Sequence, residues 1–217
     1  MKIKKKKIIF VCTGNTCRSP MAEILLKKRL EFLRIEGFDV CSAGIVAKKG
    51  DTINPHSSAV LAEHGLPSDN FSSTLLTGKL LKESFAIVCM TERQREYLMD
   101  MRWNAFQKAK KKPIGELENN VYSFAELTGE EVLDPYGRGM DCYRYVYSLL
   151  EGGMSAIIEK LRLRENAAPL RESKAATPIK RSVKKDAGAN EATQTPAPPK
   201  KRGRPKKEKK TAEKSLE

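Results

Sequence analysis

The 217-residue sequence predicts an α/β fold, a parallel sheet flanked by helices on both faces, followed by a disordered basic tail. Three observations carry this reading. Short runs rich in β-branched and aromatic residues alternate with stretches of helical periodicity through residue 164, as in successive βαβ units. The first run, Lys7-Ile-Ile-Phe-Val-Cys12, is apolar on both faces, as a central strand covered on each side must be. After residue 164 no aromatic residue occurs, six of the eleven prolines gather, and 15 Lys and Arg stand against 7 Asp and Glu. Such a segment buries too little apolar surface to offset chain entropy. The division is therefore a domain over 1–164 and a disordered tail over 165–217.

The elements follow in order. Strand one, residues 7–12, ends in a polar loop. A helix over 20–36 then places Ile24, Leu25, Leu30 and Leu33 at helical spacing, with Gly37 where a C′ glycine would stop it. Strand two covers 38–42. Asn54-Pro55 supplies an N-cap and a proline at the first helical position, opening a helix that ends at His64 before Gly65. Strand three covers 85–90, and Thr91-Glu-Arg-Gln94 has the form of a capping box opening a helix through about residue 101. The lysine-rich stretch 102–118 shows no assignable period. Val121-Tyr-Ser123 reads as strand four. A final helix over 141–163 repeats Tyr143, Val146, Tyr147, Leu150, Met154, Ile157, Ile158 and Leu161 at three- and four-residue spacing, the pattern of a helix covering a sheet face.

Composition excludes several classes. The longest uncharged apolar stretches are short runs such as residues 8–12, so no segment spans a bilayer as a helix. The basic start, Met1-Lys-Ile-Lys-Lys-Lys-Lys7, resembles a signal n-region but is followed by too short an apolar run, which predicts a cytoplasmic protein. Cys12, Cys17, Cys41, Cys89 and Cys142 form an odd set without a C-x-x-C pair, against a disulfide framework or a structural zinc site. His56 and His64 stand eight residues apart on one predicted helix, too far to chelate a metal together, so no metal is expected. The lysine runs at 4–7 and 108–112 read as solvated surface.

In open parallel sheets ligands bind beyond the carboxyl ends of the strands, and strand one delivers Cys12-Thr-Gly-Asn-Thr-Cys-Arg-Ser19 to a helix start. A turn of this kind points backbone N–H groups inward, the helix N-terminus adds partial positive charge, and Arg18 can hold two phosphoryl oxygens with its planar fork. Gly14 is expected to allow backbone geometry that a side chain would block. The same N–H groups, Arg18 and the Ser19 hydroxyl favour a thiolate at Cys12, making it the candidate nucleophile. Thr13, Gly14, Asn15, Thr16, Cys17 and Ser19 are the candidate substrate-binding residues of the loop. Asp134, in Val132-Leu-Asp-Pro-Tyr-Gly137, is the candidate proton donor. Pro135 stiffens its turn and Tyr136 stands ready to wall a pocket. Displacing phosphate from a poor leaving group requires protonating the departing atom, and the same carboxylate can then take a proton from water. Cysteine-based hydrolysis in two steps needs no cofactor.

The run Val11-Cys-Thr-Gly-Asn-Thr-Cys-Arg-Ser-Pro-Met-Ala-Glu23, together with Asp134-Pro135, resembles the low-molecular-weight protein tyrosine phosphatase family over roughly residues 7 to 163. Ser42-Ala-Gly44, the Asn54-Pro-His56 helix start and Met90-Thr91 resemble it too. The resemblance implies a four-stranded parallel sheet with helices on both faces, Cys12 as nucleophile, Arg18 as phosphate ligand and Asp134 as general acid. Asn15 and Ser19 would shape the loop, and phosphorylated proteins would be the substrates. Thr16, where tyrosine phosphatases of the family often carry isoleucine, looks like the bacterial protein arginine phosphatases, as does Asn120-Val-Tyr-Ser-Phe-Ala-Glu-Leu-Thr-Gly129. A hydroxyl tolerates a guanidinium at the pocket rim better than a branched alkyl group does. Phosphoarginine is the expected substrate and phosphotyrosine the alternative. Arsenate reduction, also seen on this fold, ranks below both because the resolving cysteine pair is missing. The longer 103–118 stretch and Gly137-Arg-Gly-Met140 depart from the family, and Arg138 bears on substrate charge preference.

Cys17, five positions after Cys12 in one tight loop, is a candidate redox partner that would protect Cys12 as a disulfide. In the tail, Pro199-Lys-Lys-Arg-Gly-Arg-Pro-Lys-Lys207 resembles an AT-hook, with Arg202, Gly203, Arg204 and Pro205 as its core. Its implied partner is A·T-rich DNA, whose narrow minor groove attracts arginine, and with it a nucleoid association. A DNA-associated protein working through this tail is the reading from a different class.

Overall fold

The computed structural model describes residues 5–108 and 120–168. The tail, its AT-hook-like segment at 199–207 included, and the stretch 109–119 lie outside the described residues.

Strand β1 (Lys6–Cys12) organises the domain. Its alternation sends Ile8, Phe10 and Cys12 into one buried cluster and Ile9 and Val11 into another. On the first face pack α1 (Arg18–Phe32), α2 (Pro55–Glu63), α5 (Phe124–Thr128) and α6 (Met140–Lys160), through residues such as Leu26, Leu61, Phe124 and Tyr147. On the second lie α3 (Gly78–Glu83) and α4 (Glu92–Lys108), through Leu81 and Leu98. Full burial of a side chain such as Phe10 or Leu26 contributes roughly 1.5–3 kcal/mol. The four strands run parallel in the order β2-β1-β3-β4, with β2 at Phe38–Gly44, β3 at Ala86–Cys89 and β4 at Val121–Ser123. This is the architecture expected from the sequence. Register pairs Cys12 with Gly44, Val11 with Cys89 and Cys89 with Ser123, so the carboxyl ends of all four strands share one edge.

Helix α1 differs from expectation at both ends. It starts at Arg18 rather than at residue 20, because Pro20 falls at the third helical position, where a missing N–H forfeits no intrahelical bond. It ends at Phe32 rather than at residue 36, and Gly37 is not its stop. Arg34 takes the left-handed position with φ 53°, donating its N–H to the Glu31 carbonyl, while Ile35 N–H reaches the Leu30 carbonyl at 2.9 Å. Those two bonds, with Leu30 and Ile35 both buried, form a Schellman stop in which an arginine replaces the usual glycine. Gly37, with φ 95°, instead makes the turn into β2.

Helix α4 continues to Lys108 rather than ending near residue 101, since Leu98, Arg102 and Phe106 form a buried stripe at four-residue spacing. The lysines around it hid that period. The short helices α3 and α5 escaped the sequence reading altogether. Each had a signal: the Thr77 side chain caps Leu80 N–H, and the Ser123 side chain caps Glu126 N–H in an S-x-x-E capping box. Beyond α6 the described chain stays attached, with Asn166 accepting from Lys6 Nζ at 2.8 Å and Ala168 N–H donating to the Glu36 carbonyl at 2.9 Å.

Candidate active site

Cys12 is the last residue of β1 and only 2% exposed, at the shared carboxyl edge of the sheet. Residues 13–17 turn the chain directly into α1. The N-cap position of that helix is Cys17, whose side chain caps no backbone N–H, and the first turn carries no acidic residue. The helix therefore presents uncapped donors and the positive end of its dipole to the loop, the standing requirement of an anion site.

Asn15 fixes the loop's shape. It is fully buried and sits in the left-handed region with φ 55°, which lets its backbone N–H point back at Cys12 Sγ from 3.3 Å. Its amide Nδ2 donates to Ser19 Oγ at 2.9 Å and to Ser42 Oγ at 2.8 Å, while Oδ1 accepts from Thr74 N–H at 2.8 Å. Ser19 Oγ in turn lies 3.0 Å from Cys12 Sγ. Ser42 Oγ donates to Glu23 at 2.6 Å, and Glu23 is paired with Lys27. One side chain thus ties β2, α1 and the 73–76 segment to the Cys12 loop.

The conformational demand expected of Gly14 falls on Asn15 instead. Gly14 is not in the left-handed region, and a Cβ added to it would meet only Thr16 Oγ1, at an ordinary 3.6 Å. The glycine that close approach does require is Gly44, where a Cβ would lie 2.8 Å from Asn15 N, Thr13 O and Ala47 Cβ.

Arg18 is 4% exposed. Its Nη1 donates to the Val132 carbonyl at 3.1 Å and its Nη2 to Asp134 Oδ2 at 2.6 Å, so the guanidinium joins the Cys12 loop to the Asp134 loop. Its Nε is buried without a hydrogen-bond partner, a costly state for a cationic donor unless an anion completes it. The Asp134 loop is anchored by Val132 N–H to the Met90 carbonyl at 3.0 Å and closed by Tyr136 N–H to Asp134 Oδ1 at 3.2 Å. The Asp134 side chain is 51% exposed, at the mouth. Tyr136 is 74% exposed, and the structure leaves its ring on the rim.

Thr13 is exposed and accepts from Gln94 Nε2 at 3.2 Å, and Gln94 Oε1 accepts from Met90 N–H at 3.0 Å. The capping-box glutamine of α4 therefore steadies the first residue after Cys12. Gln94, Thr74 and Glu23 were not identified as site residues from sequence; the capping pattern gave Gln94 only a helix-starting role. Thr16 is half-buried, and its carbonyl accepts from Asn54 N–H at 2.8 Å, tying the loop to the start of α2. Cys17 Sγ lies 3.7 Å from both Thr16 Oγ1 and Tyr143 OH. Burial pushes the Cys17 thiol up, against smaller lowering by the Thr16 and Tyr143 hydroxyls, and burial also pushes the Tyr143 phenol up. Both therefore stay neutral near pH 7.

His56 packs edge-on against Tyr143 with ring centroids 5.0 Å apart, and His64 stacks on Tyr147 at 4.0 Å. Both histidines thus pack on aromatic rings of α6. Among the described residues no cluster of His, Cys, Asp and Glu is arranged to hold a metal, and no helix is long and apolar enough to cross a membrane.

A buried thiol facing a backbone N–H at the sheet's carboxyl edge, a buried guanidinium on the same loop and a half-exposed carboxyl paired with it are the parts a phosphate-handling cysteine hydrolase needs. Residues 7–167 match the family described as low molecular weight phosphotyrosine protein phosphatase. The protein-arginine-phosphatase of Bacillus subtilis is 32% identical over 160 residues, covering 71% of this chain and 96% of that one. The low molecular weight protein-tyrosine-phosphatase Wzb of Salmonella typhi is 33% identical over 146 residues, covering 67% and 87%. The arginine phosphatase YwlE, solved as a mutant with a phosphorylated active-site serine, superposes with a TM-score of 0.61 at 31% identity, covering 72% and 95%. The chain belongs to the low molecular weight protein phosphatase family of cysteine-dependent enzymes.

Proposed function

We propose that this enzyme removes phosphate from phosphoarginine residues of proteins through a phosphocysteine at Cys12. Relatives named for arginine and for tyrosine phosphatase activity stand at similar identity, so the substrate choice rests on a residue of the loop itself. That residue is Thr16. Its half-buried hydroxyl lies beside Gly14 on the loop, where it offers a polar contact to an incoming guanidinium.

In the first step the Cys12 thiolate attacks phosphorus, the P–N bond breaks, and the departing guanidine nitrogen takes a proton from the Asp134 carboxyl. The phosphoryl oxygens take over the Arg18 fork and the unpartnered Nε, which frees Asp134 from its 2.6 Å ion pair to take up a proton from solvent and face the leaving group as the carboxylic acid. In the second step water attacks phosphorus, Asp134 accepts its proton, and the P–S bond breaks to release phosphate and the thiolate. Thr16→Ile is expected to shift the ratio of kcat/KM for phosphoarginine over phosphotyrosine substrates by about 10–100-fold toward phosphotyrosine. An unchanged ratio would remove Thr16 from the account.

Cys17 fits a protective role. Hydrogen peroxide would convert the Cys12 thiolate to a sulfenic acid with release of hydroxide, and the Cys17 thiol would then displace water from that sulfenic acid to form the disulfide. Because burial holds Cys17 protonated, the disulfide-forming step should accelerate as pH rises. Thiol counting by mass spectrometry after mild peroxide tests this, and Cys17→Ala enzyme should lose activity irreversibly. Reversible loss in that variant would count against the role.

A second reading attaches to the tail, where Arg202-Gly203-Arg204-Pro205 carries the residue types suited to a narrow minor groove. Removing residues 169–217 should abolish salt-sensitive retention on A·T-rich DNA and leave turnover of a small aryl phosphate unchanged. Retention that survives the truncation would contradict it.

A further inference from the structure

We infer that the two flanks of the active-site mouth form a cationic surface that selects phosphorylated segments with acidic residues on both sides of the phosphorylated one. The inference rests on the phosphatase reading above. Sheet order places the loop after β2 on one side of Cys12, and the loop anchored to the end of β3 on the other. The first flank is held against the nucleophile's loop by Ile45 N–H to the Cys12 carbonyl and Val46 N–H to the Thr13 carbonyl, both at 3.0 Å, and it carries the exposed Lys48 and Lys49. The second is held by the Arg18–Asp134 pair and carries the exposed Arg138, whose N–H closes the turn onto the Pro135 carbonyl at 3.0 Å.

None of these three cations forms an ion pair among the described residues, whereas the carboxylates around the mouth are mostly engaged. Asp134 is paired with Arg18, and Glu63 and Asp141 share Arg144. Glu130 accepts from the Tyr145 hydroxyl and Glu131 from Glu92 N–H, on the side of that loop away from Arg138 in sequence. Asp51, half-buried and two residues after Lys49 in the chain, offsets one of the lysines. A segment lying across the mouth with its phosphoryl group on Arg18 passes between Lys48 and Lys49 on one side and Arg138 on the other. Acidic neighbours on both sides then gain attraction that a basic segment loses, mainly in binding and encounter.

The test compares two phosphopeptides that share one phosphorylated residue, one with Glu on both sides and one with Lys, in the intact enzyme. The acidic peptide should show about 10-fold higher kcat/KM at low salt, expressed in KM, and the gap should close near 1 M salt. Charge reversal by K48E, K49E and R138E together should invert the preference without altering turnover of a small aryl phosphate. Equal kcat/KM for the two peptides, with the aryl phosphate still hydrolysed, overturns the cationic surface. Failure to hydrolyse the aryl phosphate as well overturns the phosphatase reading and this inference with it.

Discussion

Cys12→Ser is expected to lower kcat by about 10⁴-fold or more on any phosphorylated substrate while leaving the fold intact. A serine hydroxyl in this position is nearly isosteric. It inherits the contacts the thiol makes with Ser19 Oγ at 3.0 Å and Asn15 N–H at 3.3 Å, so Tm should hardly move. What it cannot inherit is the nucleophilicity of sulfur. The loop is built from donors that stabilise a formed anion, and neither partner of Sγ is a base that could deprotonate an alcohol. Measuring phosphate release beside thermal unfolding separates the chemical loss from a structural one. A serine variant retaining a tenth of the activity would show that another group carries the reaction.

Arg18→Lys should reduce kcat/KM by about 10²–10³-fold, with kcat falling alongside it. Lysine keeps the charge but has no fork. Arg18 bonds the Val132 carbonyl with one terminal nitrogen and Asp134 with the other, and its buried Nε adds a third donor directed along the same plane. An ammonium that holds Asp134 at the half-exposed mouth leaves the buried Val132 carbonyl unpaired. Inorganic phosphate gives a readout that does not depend on turnover. It should slow alkylation of Cys12 by iodoacetate in the parent enzyme and lose that protection in the lysine variant. Full protection in the variant would place phosphate recognition on the backbone alone.

The sequence made much of this architecture legible because β1 and the loop after it are governed by local rules. A run apolar on both faces announces a central strand, and a polar turn running into a helix announces an anion site, without knowledge of anything distant. The Asn54 cap showed the same locality: its side chain accepts from His56 N–H as the Asn-Pro pair implied. The misreadings came where tertiary packing overrode local preference. Arg34 stops α1 in a conformation that favours glycine, because the Leu30 and Ile35 contact beneath it is buried. The extension of α4 was masked by charge at positions whose spacing, not polarity, decides burial. Within the candidate site, Cys12, Arg18 and Asp134, with Asn15 and Ser19 as shapers of the loop, were nameable as candidates from chemistry and order, but the distant partners that hold the loop were not. Asn15 binds Thr74 across 59 positions and Ser42 across 27, and no spacing rule links residues so far apart in the chain. Glycine composition misled in the same way, pointing to Gly14 where the backbone instead needs Asn15 in the left-handed region and Gly44 for close approach.

The most direct test of the central claim is phosphate release from a phosphoarginine-modified protein and from a phosphotyrosine peptide, measured side by side with Cys12→Ser enzyme as the blank. Release from both above the blank, with higher kcat/KM on phosphoarginine, is the predicted result. A preference for phosphotyrosine would contradict the substrate assignment made from Thr16, and release no greater than the blank on either would contradict Cys12 as the nucleophile.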